Sequence, residues 1–156
     1  KLAFATDESF NTVVCVLALQ NMENLSGVMA EVKRVLIKNG RLVLVLNHPA
    51  FRIPRRSNWG YDEKTGVQYR RVDAYLSGSR VNIEMNPGEK NGQKTVTYHH
   101  SLQDFFKVFS KIGFAVTKLE EWISHKESAK GPRQKAEDQA RKEIPLFLML
   151  ELRRIA

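Results

Sequence analysis

The sequence holds one cysteine, Cys15, among 156 residues, so no internal disulfide can form. That suits a reducing compartment, and the expected location is cytoplasmic. Cys15 lies in an apolar strand pattern and reads as a small buried hydrophobe. No apolar run approaches the roughly 20 residues of a membrane helix, and no membrane partner is expected. VLVL (43–46) and LFLML (146–150) have the length of buried strands instead. The opening KLAFATDESF lacks the long apolar stretch of a signal peptide. Internal repeats and low-complexity tracts are absent. His99 and His100 stand side by side but have no third ligand at a recognisable spacing, so no metal is expected.

What is present fits a soluble globular chain. Hydrophobic residues make up 42% and charged residues 27%, and the length suits one domain, 1–156, with a real core. The formal net charge is +8. Such a balance keeps a protein soluble and attracts anionic partners. Most of the basic residues are interspersed with acidic ones, which favours the solubility reading.

Residues 11–19 (NTVVCVLAL) are β-branched and nearly continuously apolar after the first two, which predicts a strand covered on both faces. Leu25, Val28, Met29, Val32, Val35 and Leu36 then recur at spacings of three and four, the signature of a helix with one apolar face. Asn24 is its candidate N-cap and Asn39-Gly40 its candidate end. Residues 41–46 form the next buried strand, completing a βαβ unit. Residues 48–100 are richer in Arg, Pro, Gly and aromatics and read as an insertion over one end of the sheet. Within it, 68–76 and 80–85 predict two strands joined by Ser77-Gly78-Ser79, with a third at 94–99. Asn86-Pro87-Gly88 and Asn91-Gly92 are further turns. Ser101 with Asp104 forms a capping-box pattern. It opens a helix with Leu102, Phe105, Phe106, Phe109 and Ile112 on one face and Gly113 at its end. An alternating strand follows from Phe114, residues 130–142 read as a loop or solvated helix ended by Pro145, and 146–153 form a last strand.

Several spaced motifs carry a family resemblance. Leu2-Ala3-Phe4, Asp7, Ser9-Phe10 and Val13-Val14 resemble the pattern L-P-F, a short spacer, then D-x-S-F-D-x-V. That pattern leads into the fourth strand of class I S-adenosylmethionine (SAM) dependent methyltransferases. Ala3 stands where Pro is usual and Asn11 where Asp is usual. Leu19-Gln20-Asn21 is similar to the post-strand segment L-H-H, without its histidines. Arg34-Val35-Leu36 followed by Asn39-Gly40-Arg41-Leu42 is similar to R-V-L-x-P-G-G-x-L.

The resemblance implies an α/β fold. It would be a partial Rossmann-like class I methyltransferase sheet, mostly parallel with an antiparallel C-terminal edge strand, plus a small β-rich insertion. It also implies S-adenosylmethionine as cofactor and methyl transfer to a small-molecule acceptor. The family's Gly-rich turn after the first strand and its acidic residue ending the second are missing, since no G-x-G occurs in these residues. The chain therefore reads as the C-terminal portion of such a domain, and weak binding of SAM by these residues alone is the expectation.

Ligands of open α/β sheets bind at the carboxyl ends of the strands. Leu19-Gln20-Asn21 and Asn47-His48-Pro49 leave those ends. The resemblance places Leu2 near the adenine and Leu19 and Gln20 beside the amino-acid side of the cofactor; core or plain loop roles are the alternatives. His48 is the candidate general base or substrate orienter, because imidazole titrates near neutrality. Its alternative is a ring hydrogen-bonded to nearby backbone. Arg52, with Arg55 and Arg56, can grip a carboxylate or phosphate on the substrate. Trp59, Tyr61 and Tyr69 are candidate walls of a substrate pocket, or else they pack the insertion. His99 is a candidate for the pocket rim.

The expected acceptor is thus a small anionic or aromatic molecule. Two other readings stand beside it. One is a basic anion- or nucleic-acid-binding module using Arg52, Arg55, Arg56, Arg70 and Arg71 with the interleaved aromatics, although no recognised nucleic-acid motif backs it. The other is an inactive fragment that dimerises through the exposed sheet edge beside residues 11–19.

Overall fold

The computed structural model describes residues 2–84 and 94–155. The turns expected at Asn86-Pro87-Gly88 and Asn91-Gly92 lie outside them. Strand β1 (Phe10–Val16) runs parallel to β2 (Leu36–Asn47), with Val14 opposite Val43 and Val16 opposite Val45. A parallel pair needs a crossover, and α1 (Leu25–Val35) supplies it. The Asn24 side chain caps α1 by accepting from the Gly27 amide at 2.8 Å. Leu25, Met29, Val32 and Val35 are buried against the sheet.

Helix α1 ends at Val35, earlier than the Asn39-Gly40 expected. The cause is competition for its last carbonyls. The amides of Glu8 and Ser9 donate to the carbonyls of Arg34 and Val35 at 2.9 Å each, so the chain turns extended at Leu36. Lys38, Asn39 and Gly40 then form an irregularity within β2, with Asn39 at φ 60°.

The main sheet has the order β1-β2-β8-β7, where β7 is Phe114–Trp122 and β8 is Phe147–Arg154. β8 is antiparallel to both neighbours, so β1, β2 and β7 share one direction. The last strand is antiparallel as expected but sits one place inside the edge, which β7 occupies. A bulge between Val116 and Lys118 brings Leu119 opposite Leu150. Helix α2 (Leu102–Ile112) carries the expected capping box: the Ser101 amide donates to the Asp104 carboxylate at 3.0 Å, and Gly113 ends the helix at φ 96°. Phe105 and Phe109 join Met29, Leu36, Leu42, Leu44, Leu148, Leu150 and Leu152 in one core. That core covers a single face of β1. Val13 and Cys15 pack on it, whereas Val14 is 62% exposed, so neither the two-sided covering of β1 nor the full burial of Cys15 is found.

The insertion pairs differently from its expected strands. β3 (Ser57–Asp62) and β4 (Val67–Val72) form one hairpin, and β5 (Ser79–Glu84) and β6 (Lys94–His99) form another. The turn chemistry decides this. Asp62 accepts from the Lys64 amide at 3.0 Å and the Thr65 hydroxyl at 2.7 Å, and Gly66 takes φ 68°. That folds β4 back onto SNWGYD rather than forward onto β5. The charged segment near the C-terminus is the solvated helix α3 (Gln134–Glu143).

The lead-in to β1 is held by charge. Arg34 bonds Asp7 at 2.5 Å and Glu31 at 2.7 Å, and Glu31 accepts from the Leu2 amide at 2.7 Å. The Arg34 hydrogen bond, and then that of the Leu2 amide, pull the Glu31 carboxyl from 4.5 down to about 2. A depressed carboxylate stabilises the fold above its unfolded value and stops doing so as pH falls through the folded one. Amides of residues 2–9 should therefore keep their hydrogen-exchange protection near pH 4.5 and lose it progressively toward pH 2; loss already complete at pH 4.5 would contradict the clamp.

Candidate functional site

The parallel register sends the chain out of β1 and β2 at the same end of the sheet, and both exits turn sharply. After β2, the His48 amide donates to the Leu146 carbonyl at 2.9 Å and the Arg52 amide to the His48 carbonyl at 2.8 Å. The His48 ring sits inside this turn. Its Nδ1 accepts from the amides of Ala50 at 3.1 Å and Phe51 at 3.3 Å. A nitrogen that accepts amide protons carries none of its own, so Nε2 bears the proton and donates to Glu121 Oε1 at 2.8 Å. The ring is 2% exposed and leans on Phe51. With both nitrogens occupied, His48 is an organiser of the turn rather than the general base expected.

The turn presents Arg52. Arg52 is exposed, and its guanidinium stands 5.1 Å over the Phe147 ring. Nearby, Arg70 donates to the Phe51 carbonyl at 2.7 Å and the Ser57 hydroxyl at 2.8 Å, and lies over Trp59. Burial lowers the pKa of both groups, and the charge of Arg52 lowers that of Arg70 further. Among the described residues no carboxylate forms an ion pair with either.

After β1, Leu17 takes φ 50° and residues Leu19–Asn21 make one 3-10 turn. Leu19 points into the core at 1% exposure, so only its backbone is left to face a ligand. Gln20 donates from Nε2 to the Leu17 carbonyl at 2.8 Å. A carbonyl can only accept, which fixes the amide orientation and turns Oε1 to the other side. Oε1 is buried and has no partner among the described residues.

Between the two turns and the insertion lies a cavity of about 20 Å³, lined by Gln20, Asn47, Pro49, Arg52, Thr97, His99, His100 and Phe105, among others. His99 is held by its surroundings: Nε2 bonds the Tyr75 carbonyl at 2.7 Å, and the Tyr75 hydroxyl accepts from the Leu102 amide at 3.0 Å. His100 meets Phe105 edge-on at 5.6 Å, and its buried Nε2 has no partner among the described residues. Burial lowers the His100 pKa; Asp104 opposes this and His99 adds to it. A far larger groove, of about 760 Å³, runs along β5 and β6 beside Arg55, Arg80 and Lys94. It is open to solvent and away from the strand ends, so the small cavity is the chemically informative one.

Of the residues singled out from the sequence, the cavity gathers Gln20, Arg52 and His99. Leu2 is elsewhere: its bonds to Glu31 and Arg34 tie it to the end of α1, at the amino ends of the strands. Trp59, Tyr61 and Tyr69 wall no part of the cavity. Trp59 lies under Arg70, Tyr61 lies 4.5 Å under Arg133, and Tyr69 packs across Gly60, where an added Cβ would come within 2.4 Å of the tyrosine ring. They pack the insertion. Asn47 and His100 also line the cavity, as members of the strand-end segment Asn47-His48-Pro49 and of the His99-His100 pair, whose position directly before a helix cap points to a cap or pocket-rim role.

Residues 1–44 match the family model described as a methyltransferase domain. An S-adenosylmethionine dependent methyltransferase from Mesorhizobium loti is 22% identical and superposes with a TM-score of 0.71, over 96% of this chain and 64% of its own. The fold is that of a class I SAM-dependent methyltransferase. A proposed S-adenosylmethionine dependent methyltransferase from Listeria monocytogenes is also 22% identical, with a TM-score of 0.69 over 95% of this chain and 63% of its own. The glycopeptide N-methyltransferase MtfA, complexed with S-adenosyl-L-homocysteine, gives 15% identity and a TM-score of 0.53 over 95% of this chain and 56% of its own. No curated protein matches the chain. The chain thus spans a little under two thirds of the length of the first two methyltransferases. Within this methyltransferase fold the cavity lies at the carboxyl ends of β1 and β2, where open α/β sheets place ligands.

The turn role of His48 is testable. Replacing His48 by Ala removes the acceptor of two backbone amides and should lower the unfolding free energy by about 2–3 kcal/mol in urea. Glu121→Gln keeps an acceptor near Nε2 and should cost under about 1 kcal/mol. An unchanged midpoint for His48→Ala would contradict the role.

Proposed function

We propose that these residues serve SAM-dependent methyl transfer, with SAM at the carboxyl ends of β1 and β2 and the methyl acceptor entering from the side of the insertion. The observation that carries this reading is the convergence of the Leu19–Asn21 turn, the His48 turn and the end of β6 on one cavity, in a methyltransferase fold. The fit to the cofactor is partial. A strand-end turn with an unpartnered amide oxygen is present at Gln20, while a G-x-G turn does not occur in these residues. When bound, the sulfonium supplies an electrophilic methyl carbon. The chain's own part is to hold the acceptor in line with it and to keep water out.

The acceptor is a small molecule, and Arg52 favours one bearing a carboxylate or phosphate. Arg52 stands over the Phe147 ring and lacks a carboxylate partner among the described residues, so its guanidinium is available to an anion. Tyr98, His99, His100 and Phe105 give the cavity aromatic walls as well. A nucleic-acid surface is less well supported, because Arg70 is bonded to Phe51 and Ser57 and Arg71 is paired with Asp73 at 3.1 Å. No helix of the described residues is long and apolar enough to cross a membrane. Among the described residues the outer flank of β1 has no strand partner, and Val14 and Val16 are exposed there, so strand pairing with a second copy belongs to the same proposal.

Titration of the labelled chain with millimolar S-adenosylhomocysteine tests the reading by NMR. Amide shifts should cluster in residues 17–21 and 47–52 and saturate weakly. Shifts confined to the β3–β4 hairpin, or none, would contradict it.

A further inference from the structure

We propose that Arg52 and Arg70 together form a binding site for a phosphomonoester dianion, carried by the methyl acceptor. The site stands on its own geometry; only the assignment of the phosphate to the acceptor rests on the methyl-transfer reading.

The two guanidiniums meet at the same turn. Arg52 leaves it directly. Arg70 reaches it from β4, donating through Nε to the carbonyl of Phe51, the residue before Arg52, at 2.7 Å. A bond from Nη2 to the Ser57 hydroxyl at 2.8 Å is its second anchor. Both acceptors are neutral, so neither cancels the charge, and Arg70 Nη1 is left without a partner among the described residues. The Arg52 side chain makes no hydrogen bond or ion pair among the described residues. Each cation lies 5.1 Å from an aromatic ring, Arg52 over Phe147 and Arg70 over Trp59. The rings hold the guanidiniums in place and keep water from one side of each.

The charge of Arg52 acts against that of Arg70. The carboxylates of the surrounding elements are engaged elsewhere: Asp73 with Arg71, Glu63 with Arg133 and Glu121 with His48. Two cations held together without a counter-charge attract an anion that can join them. A phosphomonoester carries close to −2 at neutral pH and has three acceptor oxygens. That suffices for the fork of Arg52 and the free Nη1 of Arg70 at once. A carboxylate or a phosphodiester carries a single charge and leaves half of the pair uncompensated. Arg52 is exposed, so the phosphate enters from solvent on the side of the insertion. Arg55, Arg71 and Arg133 are bonded to Asn82, Asp73 and Glu63, so they do not extend the pair into the basic track that a polymer backbone needs.

Titration of arginine-labelled protein with methyl phosphate, dimethyl phosphate and acetate tests the site. At about pH 7.5 methyl phosphate is the dianion and the other two carry one charge. Side-chain nitrogen NMR should show methyl phosphate shifting the Arg52 and Arg70 resonances along one binding curve, about tenfold more tightly than either monoanion. Arg52→Gln, which removes no hydrogen bond of the fold, should abolish that preference. Arg70→Lys, which keeps the charge without the fork, should reduce it, and Arg56→Gln should leave it unchanged. Equal binding of the three anions, equal shifts across the exposed arginines, or undiminished binding by Arg52→Gln would overturn the proposal. Dimethyl phosphate binding as tightly as methyl phosphate would point to a polymer backbone and overturn it too. The S-adenosylhomocysteine map is read on backbone amides of residues 17–21 and 47–52; its absence would remove the methyl-transfer reading and leave the phosphate site standing.

Discussion

The parallel pairing of β1 with β2 is the constraint from which the candidate site follows. Two parallel neighbours release the chain at the same end. Here the Leu17 amide adds one more bond, at 2.8 Å, to the Val45 carbonyl before the chain turns away. That brings Gln20 and Asn47 to the rim of one cavity, although 27 positions separate them (47 − 20). Helices α1 and α2 cover one face of the pair and fix its twist and depth through the Met29, Phe105 and Phe109 side chains. An antiparallel pairing would have sent the two turns to opposite ends and left no shared site.

The polar architecture around that cavity is built by satisfying backbone groups first. His48 places its imidazole where two turn amides would otherwise be unpaired, and the same turn carries Arg52 to the cavity. His99 does similar work on the other wall, joining β6 to the Tyr75 carbonyl while the Tyr75 hydroxyl receives the first amide of α2. Two of the three histidines at this end of the sheet, His48 and His99, are thus committed to structure. His100 is the one whose ring nitrogen stays buried and unbonded, and it stands in surroundings that favour its neutral form.

Much of this was legible in the residues, for identifiable reasons. The βαβ unit was plain because Val, Leu and Ile positions carry clean periods of three-to-four and of continuous burial. Asn24 and the Ser101–Asp104 box were readable because capping chemistry is local. The end of α1 was not, because it depends on amides of Glu8 and Ser9 arriving from outside the helix. The hairpin pairing is not legible in the sequence, because Ser77-Gly78-Ser79 is the more conspicuous turn while the Asp62–Thr65–Gly66 loop makes its bonds through the Asp62 side chain. The site was legible as a location but not as a set of roles. Which histidine is spent on backbone amides is a three-dimensional matter, and the cation–π partners of Trp59 and Tyr61 are fixed only once the insertion folds.

The most direct test of the account is the measurement of backbone nuclear Overhauser contacts across the first two strands. The account predicts the parallel pattern, with Val14 beside Val43 and Val16 beside Val45. Contacts of the antiparallel kind between these segments, or none at all, would contradict it and dissolve the shared cavity with it.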